Sequence, residues 1–145
     1  MKCEIIKAAL SEMGVLEQPG KEHNSPRILE YFKEIGHSWV RTDETAWCSA
    51  FVNYIAKTTG YEFSGKLDAR SWLKVGVDTE VPEIGDVVVL WRVDPDSWKG
   101  HVGFFIKQEG DTIWILGGNQ KNMVKISKYP KSRLLSYRIL KKLIK

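Results

Sequence analysis

Near the amino terminus, Ile5, Ile6, Ala9, Leu10 and Met13 recur at intervals of three and four, predicting a helix that stops at Gly14. A polar loop containing Pro19 and Gly20 follows. Ser25 ahead of Pro26 is a cap and first-turn pair, and Ile28, Leu29 and Phe32 form the inward face of a second helix that ends at Gly36. A third helix carries Cys48, Phe51, Val52, Ile55 and Ala56 and ends near Gly60, with Asp43 or Thr45 as its cap. Residues 68–73 read as a short fourth helix with Ala69, Trp72 and Leu73 inward. From residue 86 the period changes: the β-branched run VVVLW is followed by strand-like segments at 101–106, 112–116, 123–126 and 133–140. Gly110-Asp111 marks a tight connection between the second and third of these strands. Helices first and an antiparallel sheet second predict an α+β fold. The whole chain, residues 1–145, reads as a single domain ending in a basic segment, 121–145.

Composition narrows the class. With 43% apolar and 28% charged residues, the chain can build its own core and falls outside the disordered range. Six tryptophans exceed what so small a core requires, so some are expected to line a groove. No apolar run approaches the roughly 18 residues that span a membrane. The start, MKCEIIKAALSEMG, lacks the long apolar segment of a secretory signal, so synthesis in the cytoplasm is expected. Two cysteines make no disulfide framework. Charge is uneven: residues 121–145 hold nine basic and no acidic side chains, whereas residues 1–120 hold 13 basic and 18 acidic ones. Such a block attracts an anionic polymer or forms a solvated basic surface; charge alone does not choose.

The candidate chemistry centres on Cys48. Unpaired N–H groups at a helix start favour a thiolate, and an acyl-transfer cysteine needs in addition a base and a group to orient it. Taken alone, Cys48 reads as core more often than as catalyst, since Phe51, Val52 and Ile55 share its helical face. His101 changes that balance: it follows the polar loop RVDPDSWKG and opens the strand HVGFFI. Pairing residues 101–107 with 112–118 across the Gly110 turn returns Asn119 of LGGNQ to the side of His101. Trp47 and Trp98, neighbours of these residues in sequence, are candidate groove walls, with Glu17 and His23 on another edge. Gly118 and Gln120 would border the substrate, the glycine by close backbone approach. Arg70 is a candidate partner for a substrate carboxylate.

The stretches EQPGKEHNSPRILEYF, DETAWCSAFVNYIAKTTG, ARSWL, GDVVVLWR, GHVGFF and LGGNQ resemble the CHAP and NlpC-type cysteine peptidases, papain-like enzymes of peptidoglycan, and most closely a small phage and bacterial branch. The resemblance runs from about Leu16 to Arg138. It implies Cys48 as nucleophile, His101 as base and Asn119 as the orienting third member, with no metal or cofactor. It also implies a wall stem peptide as substrate. The missing signal, single domain and basic end favour a monomeric phage endolysin, acting on the cell wall after release from the host bacterial cytoplasm, over an interbacterial toxin or a host remodelling enzyme. Many relatives carry a glutamate shortly before the asparagine, where this chain has Leu116, Gly117 and Gly118. Others carry a glutamine before the nucleophile, where it has Asp43 and Glu44. The basic end would hold the enzyme near an anionic envelope polymer. The rival readings are a non-catalytic wall-binding module on the same scaffold, a small nucleic-acid binder lacking a reader motif, and a zinc site on Cys48 and His101 aided by Asp94 or Asp96.

Overall fold

The computed structural model describes residues 2–17, 25–37 and 47–143. Three α-helices come first, α1 (Cys3–Ser11), α2 (Pro26–Glu34) and α3 (Cys48–Thr58), then a 3₁₀ segment (Ala69–Lys74). The strands are β1 (Val77–Thr79), β2 (Val87–Trp91), β3 (Gly100–Glu109), β4 (Thr112–Gln120), β5 (Met123–Pro130) and β6 (Leu134–Ile139), with a short 3₁₀ segment (Lys131–Arg133) before β6. They pair antiparallel in one sheet of order β1-β6-β2-β3-β4-β5, which makes the fold α+β as expected. The basic segment is built into this sheet: β6 lies between β1 and β2, and Arg138 donates to the carbonyls of Val75 and Gly76.

α3 is the central element. It is buried on nearly every side, at Cys48 to Val52, Asn53, Ile55 and Ala56, and packs against α1, α2, β3 and β4. Two buried polar residues pin its first turns. Ser49 Oγ donates to the Lys66 carbonyl (2.7 Å) and accepts from Trp72 Nε1 (3.0 Å). Asn53 donates to the same carbonyl (3.0 Å) and accepts from the Gly65 N–H (2.9 Å). Each group would be costly to bury unpaired, so together they fix where the helix starts. α1 and α2 are joined by Glu12, whose carboxylate accepts from Arg27 Nε (2.5 Å), Arg27 Nη2 (2.9 Å) and Tyr31 Oη (2.7 Å).

The sheet is buried on both faces, which is why VVVLW reads as a continuous apolar run. Val87, Val89, Val102, Phe104 and Leu116 face the helices; Val88, Leu90, Phe105, Ile113, Ile115 and Tyr137 form a smaller second core behind. The sheet curls around that second core. Phe105 and Tyr137 lie on strands separated by β2, yet their ring centroids are 5.5 Å apart. Arg133, just ahead of β6, reaches the ring of Tyr129 on β5, with three strands lying between β5 and β6 in the sheet. The curl brings the ends of β2, β5 and β6 to the start of β3.

Three details differ from expectation. The third helix starts later, with Trp47 as its N-cap; Asp43 and Thr45 lie outside the described residues. β1 carries no sequence signal, because its three residues are mostly exposed. β4 runs on through GGNQ, four residues past the strand-like segment 112–116.

Gly118 is needed there for packing. A Cβ at this position would come within 2.7 Å of the Trp47 ring and 2.8 Å of Phe51 Cβ. Gly118→Ala is therefore expected to cost about 1–3 kcal/mol by overpacking. Urea unfolding measures this, and an unchanged midpoint would contradict the close approach.

Candidate active site

Cys48 is the first residue of α3, behind an N-cap that makes no side-chain hydrogen bond to the helix. The N–H groups of the first turn are thus left for other acceptors. β3 runs alongside. Its first residues pair only with β2 (His101 opposite Leu90), since pairing with β4 begins at Phe104. The free edge meets the helix start, where the sulfur interacts with the Val102 N–H. Burial pushes the Cys48 thiol up from its ordinary value; the N–H groups of Val102 and Ser49 and the charge of Arg92 oppose this without cancelling it.

His101 is also buried, 6% exposed, and its Nε2 lies 2.8 Å from Gln120 Oε1. Gln120 has no freedom to reverse. Its Nε2 donates to the carbonyls of Ile115 (3.2 Å) and Lys125 (2.6 Å), so only its oxygen is left for the ring. Facing an acceptor, His101 Nε2 must carry the proton, which leaves Nδ1 unprotonated in the neutral ring. Tyr129 adds its phenol oxygen 3.2 Å from the same Nε2 and its ring 5.1 Å from the imidazole. Burial holds His101 down at about 4; the bond to Gln120 works against this, and the charges of Arg133 and Arg92 work with it.

Gln120 does this instead of Asn119, which corrects the expected third member. Continuing the register from Phe104–Leu116 would place residue 119 opposite His101. However, β4 shifts register against β5 between Gly117 and Gln120, with Asn119 in the left-handed region at φ 56°. The extra residue turns Gln120 toward the ring. A two-residue turn, Lys121 and Asn122, both at positive φ, then closes the hairpin.

Cys48 and His101 open on one cavity of about 430 Å³, lined also by Arg92, Asn119, Asn122, Tyr129 and Arg133. Asn119 is therefore at the site but does not hold the imidazole. Trp47 is fully buried in the core, not a groove wall. Gly118 is buried beneath it, closed to a substrate. Gln120, expected to border the substrate, is 3% exposed and serves the histidine. Trp98 is exposed on the loop after β2, away from the cavity lining. Glu17 is outside the cavity lining and is tied to it through its backbone, its N–H donating to the carbonyl of Asn122 (2.7 Å). His23, Asp43 and Glu44 lie outside the described residues. Arg70 is spent on structure, donating to the carbonyls of Asp94, Pro95 and Lys99. Sequence reasoning missed Arg92, Asn122, Tyr129 and Arg133, which gather only because the sheet curls. Among the described residues no three of His, Cys, Asp and Glu are grouped to hold a metal ion, and no helix is long and apolar enough to cross a membrane.

A family model described as the CHAP domain matches residues 40–119, more than half of the chain. This chain belongs to the CHAP domain family. The match contains Cys48, His101 and Asn119 and stops one residue short of Gln120. CHAP domains are typically cysteine peptidase or amidase domains acting on peptidoglycan, which makes this a peptidoglycan-related, hydrolase-type domain. Its papain-like fold is shared with a solved structure from Staphylococcus aureus subsp. aureus Mu50, described as similar to a lipoprotein of the NLP/P60 family. The TM-score is 0.51 at 16% identity, covering 98% of this chain and 41% of that one, so this CHAP domain spans less than half the length of that protein. No curated protein matches the chain.

The buried imidazole of this CHAP domain has a consequence for stability. His101 titrates at about 4 when folded and at an ordinary 6.5 when unfolded, so between these values the unfolded chain binds more protons. Stability is then complete above the upper value and falls as pH drops toward the lower one, by ~3 kcal/mol in all. Denaturant midpoints at several pH values for wild type and His101→Gln measure this. Wild type is expected to lose the extra stability across that window, and parallel pH profiles would contradict the burial argument.

Proposed function

We propose that this domain hydrolyses an amide bond in the peptide part of peptidoglycan, with Cys48 as nucleophile, His101 as general base and acid, and Gln120 as the residue that positions the ring. The observation that carries the reading is the Gln120 clamp. It leaves Nδ1 as the proton acceptor of a neutral imidazole that shares a cavity with a cysteine at an uncapped helix start.

The resting pair is a neutral thiol and a neutral imidazole, because both pKa shifts disfavour the charged forms. A free thiolate–imidazolium pair would lie uphill, so proton transfer from Sγ to Nδ1 accompanies attack on the substrate carbonyl. The carbonyl π pair moves to oxygen, and the oxyanion meets backbone N–H groups at the start of α3. On collapse the C–N bond breaks and the imidazolium returns its proton to the departing amine. Its low pKa makes it a ready acid for that step. Water, deprotonated by the same nitrogen, then attacks the thioester and releases the acid and the thiol. Throughout, Nε2–H donates to Gln120 Oε1, so the ring need not turn between steps.

Trp98, outside the cavity lining, would serve a more distant part of an extended substrate. Arg70 clips the loop after β2 at three carbonyls, and the loop presents Trp98, 74% exposed, next to Lys99, whose carbonyl accepts from the Arg92 N–H. Within the same reading the chain serves as a phage lysin, made in the bacterial cytoplasm and acting on the wall after release. The basic excess of residues 121–145 supports contact with an anionic envelope polymer.

Mass spectrometry of purified peptidoglycan digested by wild type, C48A, Q120A and N119A tests the assignment. Wild type is expected to cut one amide bond with addition of water, and C48A none. Q120A should be slower by about 100-fold and N119A by less than about tenfold. Cleavage by C48A, or a larger loss in N119A than in Q120A, would overturn this assignment of roles.

A further inference from the structure

Arg92 and Arg133 share the cavity with the sulfur and the imidazole, and no carboxylate lies among the lining residues. Arg133 is held in place: its Nε donates to the Trp91 carbonyl (3.0 Å), and its guanidinium lies over the rings of Trp91 (5.9 Å) and Tyr129 (5.6 Å). Its terminal nitrogens and the whole guanidinium of Arg92 have no hydrogen-bond or ion-pair partner among the described residues. Asn119 and Asn122 bring two further amide groups to the same space.

Two uncompensated cations in this cavity work against the proposed reaction. The base must become a cation during turnover, and both arginines disfavour that. An arrangement that hinders its own proton transfer when empty makes sense if the substrate brings the missing negative charge. Guanidinium forks fit a carboxylate in planar, two-point fashion, and amide N–H groups complete such a site.

Resting on the cysteine-hydrolase reading above, we infer that Arg92 and Arg133, with Asn119 and Asn122, bind a free carboxylate on the substrate peptide close to the bond that is cut. The carboxylate neutralises the two arginines as it binds. The field that suppresses His101 protonation in the empty site is then relieved only when the correct substrate is seated. A peptide whose carboxylate has been converted to a carboxamide keeps its shape but loses the charge. It should bind less well and leave the base suppressed.

The test uses C48A, which binds without turnover, and two wall stem peptides that differ only in having the glutamate α-carboxyl group free or amidated. Titration calorimetry is expected to show the free acid binding at least about tenfold more tightly. That preference should shrink to within about twofold in C48A/R92Q and persist in part in C48A/R92K, which retains the charge without the fork. Equal affinities in C48A, no binding of either peptide, or an R92Q change that weakens both equally would each overturn the inference. The last of these would make Arg92 a general electrostatic support for the site. Because binding is read in a protein without the reactive sulfur, the two proposals fail separately. Carboxylate preference together with cleavage that survives in C48A would sink the nucleophile assignment alone. Equal affinities together with Cys48-dependent cleavage would sink this inference alone.

Discussion

The side-chain amide of Gln120 is committed on one end. Both backbone carbonyls within reach of its nitrogen, those of Ile115 and Lys125, belong to β4 and β5, so the sheet itself dictates which way the amide faces. An oxygen directed at an imidazole nitrogen selects the tautomer with the proton there. The functional reading follows from that one selection. In the proposed mechanism the opposite nitrogen is the base, and a neutral glutamine orients the ring without the charge an aspartate or glutamate would bring.

Absence of that charge has an electrostatic cost, visible in the rest of the site. His101 and Cys48 are both buried, and each is pushed toward its neutral form. Two arginines at the cavity add to the suppression of the imidazolium, while Arg92 favours the thiolate. The site is thus tuned for accumulating negative charge and against positive charge. Such a balance is productive when proton transfer is brief and coupled to bond formation, and when a negatively charged substrate offsets the field.

Much of this was legible in the sequence because it rests on local patterns. Ser25-Pro26 marks a helix start and caps it, with Ser25 Oγ accepting from the Ile28 N–H. The apolar run of β2, the opening of β3 at His101 and the burial of Cys48 at a helix start all follow from spacing and residue type. What sequence reasoning missed is non-local. Asn119 was the natural partner for His101 by strict alternation, and one bulge transfers that task to its neighbour. Trp47 looked like a groove wall by proximity to Cys48, yet Gly118 lets β4 approach so closely that the ring is sealed in the core. Arg133 reads as one more charge in a basic tail, until the curl of the sheet delivers it to the cavity of Cys48 and His101.

The most direct measurement is the protonation state of His101 in solution, read from the long-range nitrogen–proton NMR correlations of the histidine rings, with H101Q used to assign the signals. The account predicts a neutral ring protonated at Nε2 across neutral pH, charging only as pH approaches about 4. A ring protonated at Nδ1, or an imidazolium already formed at neutral pH, would contradict it.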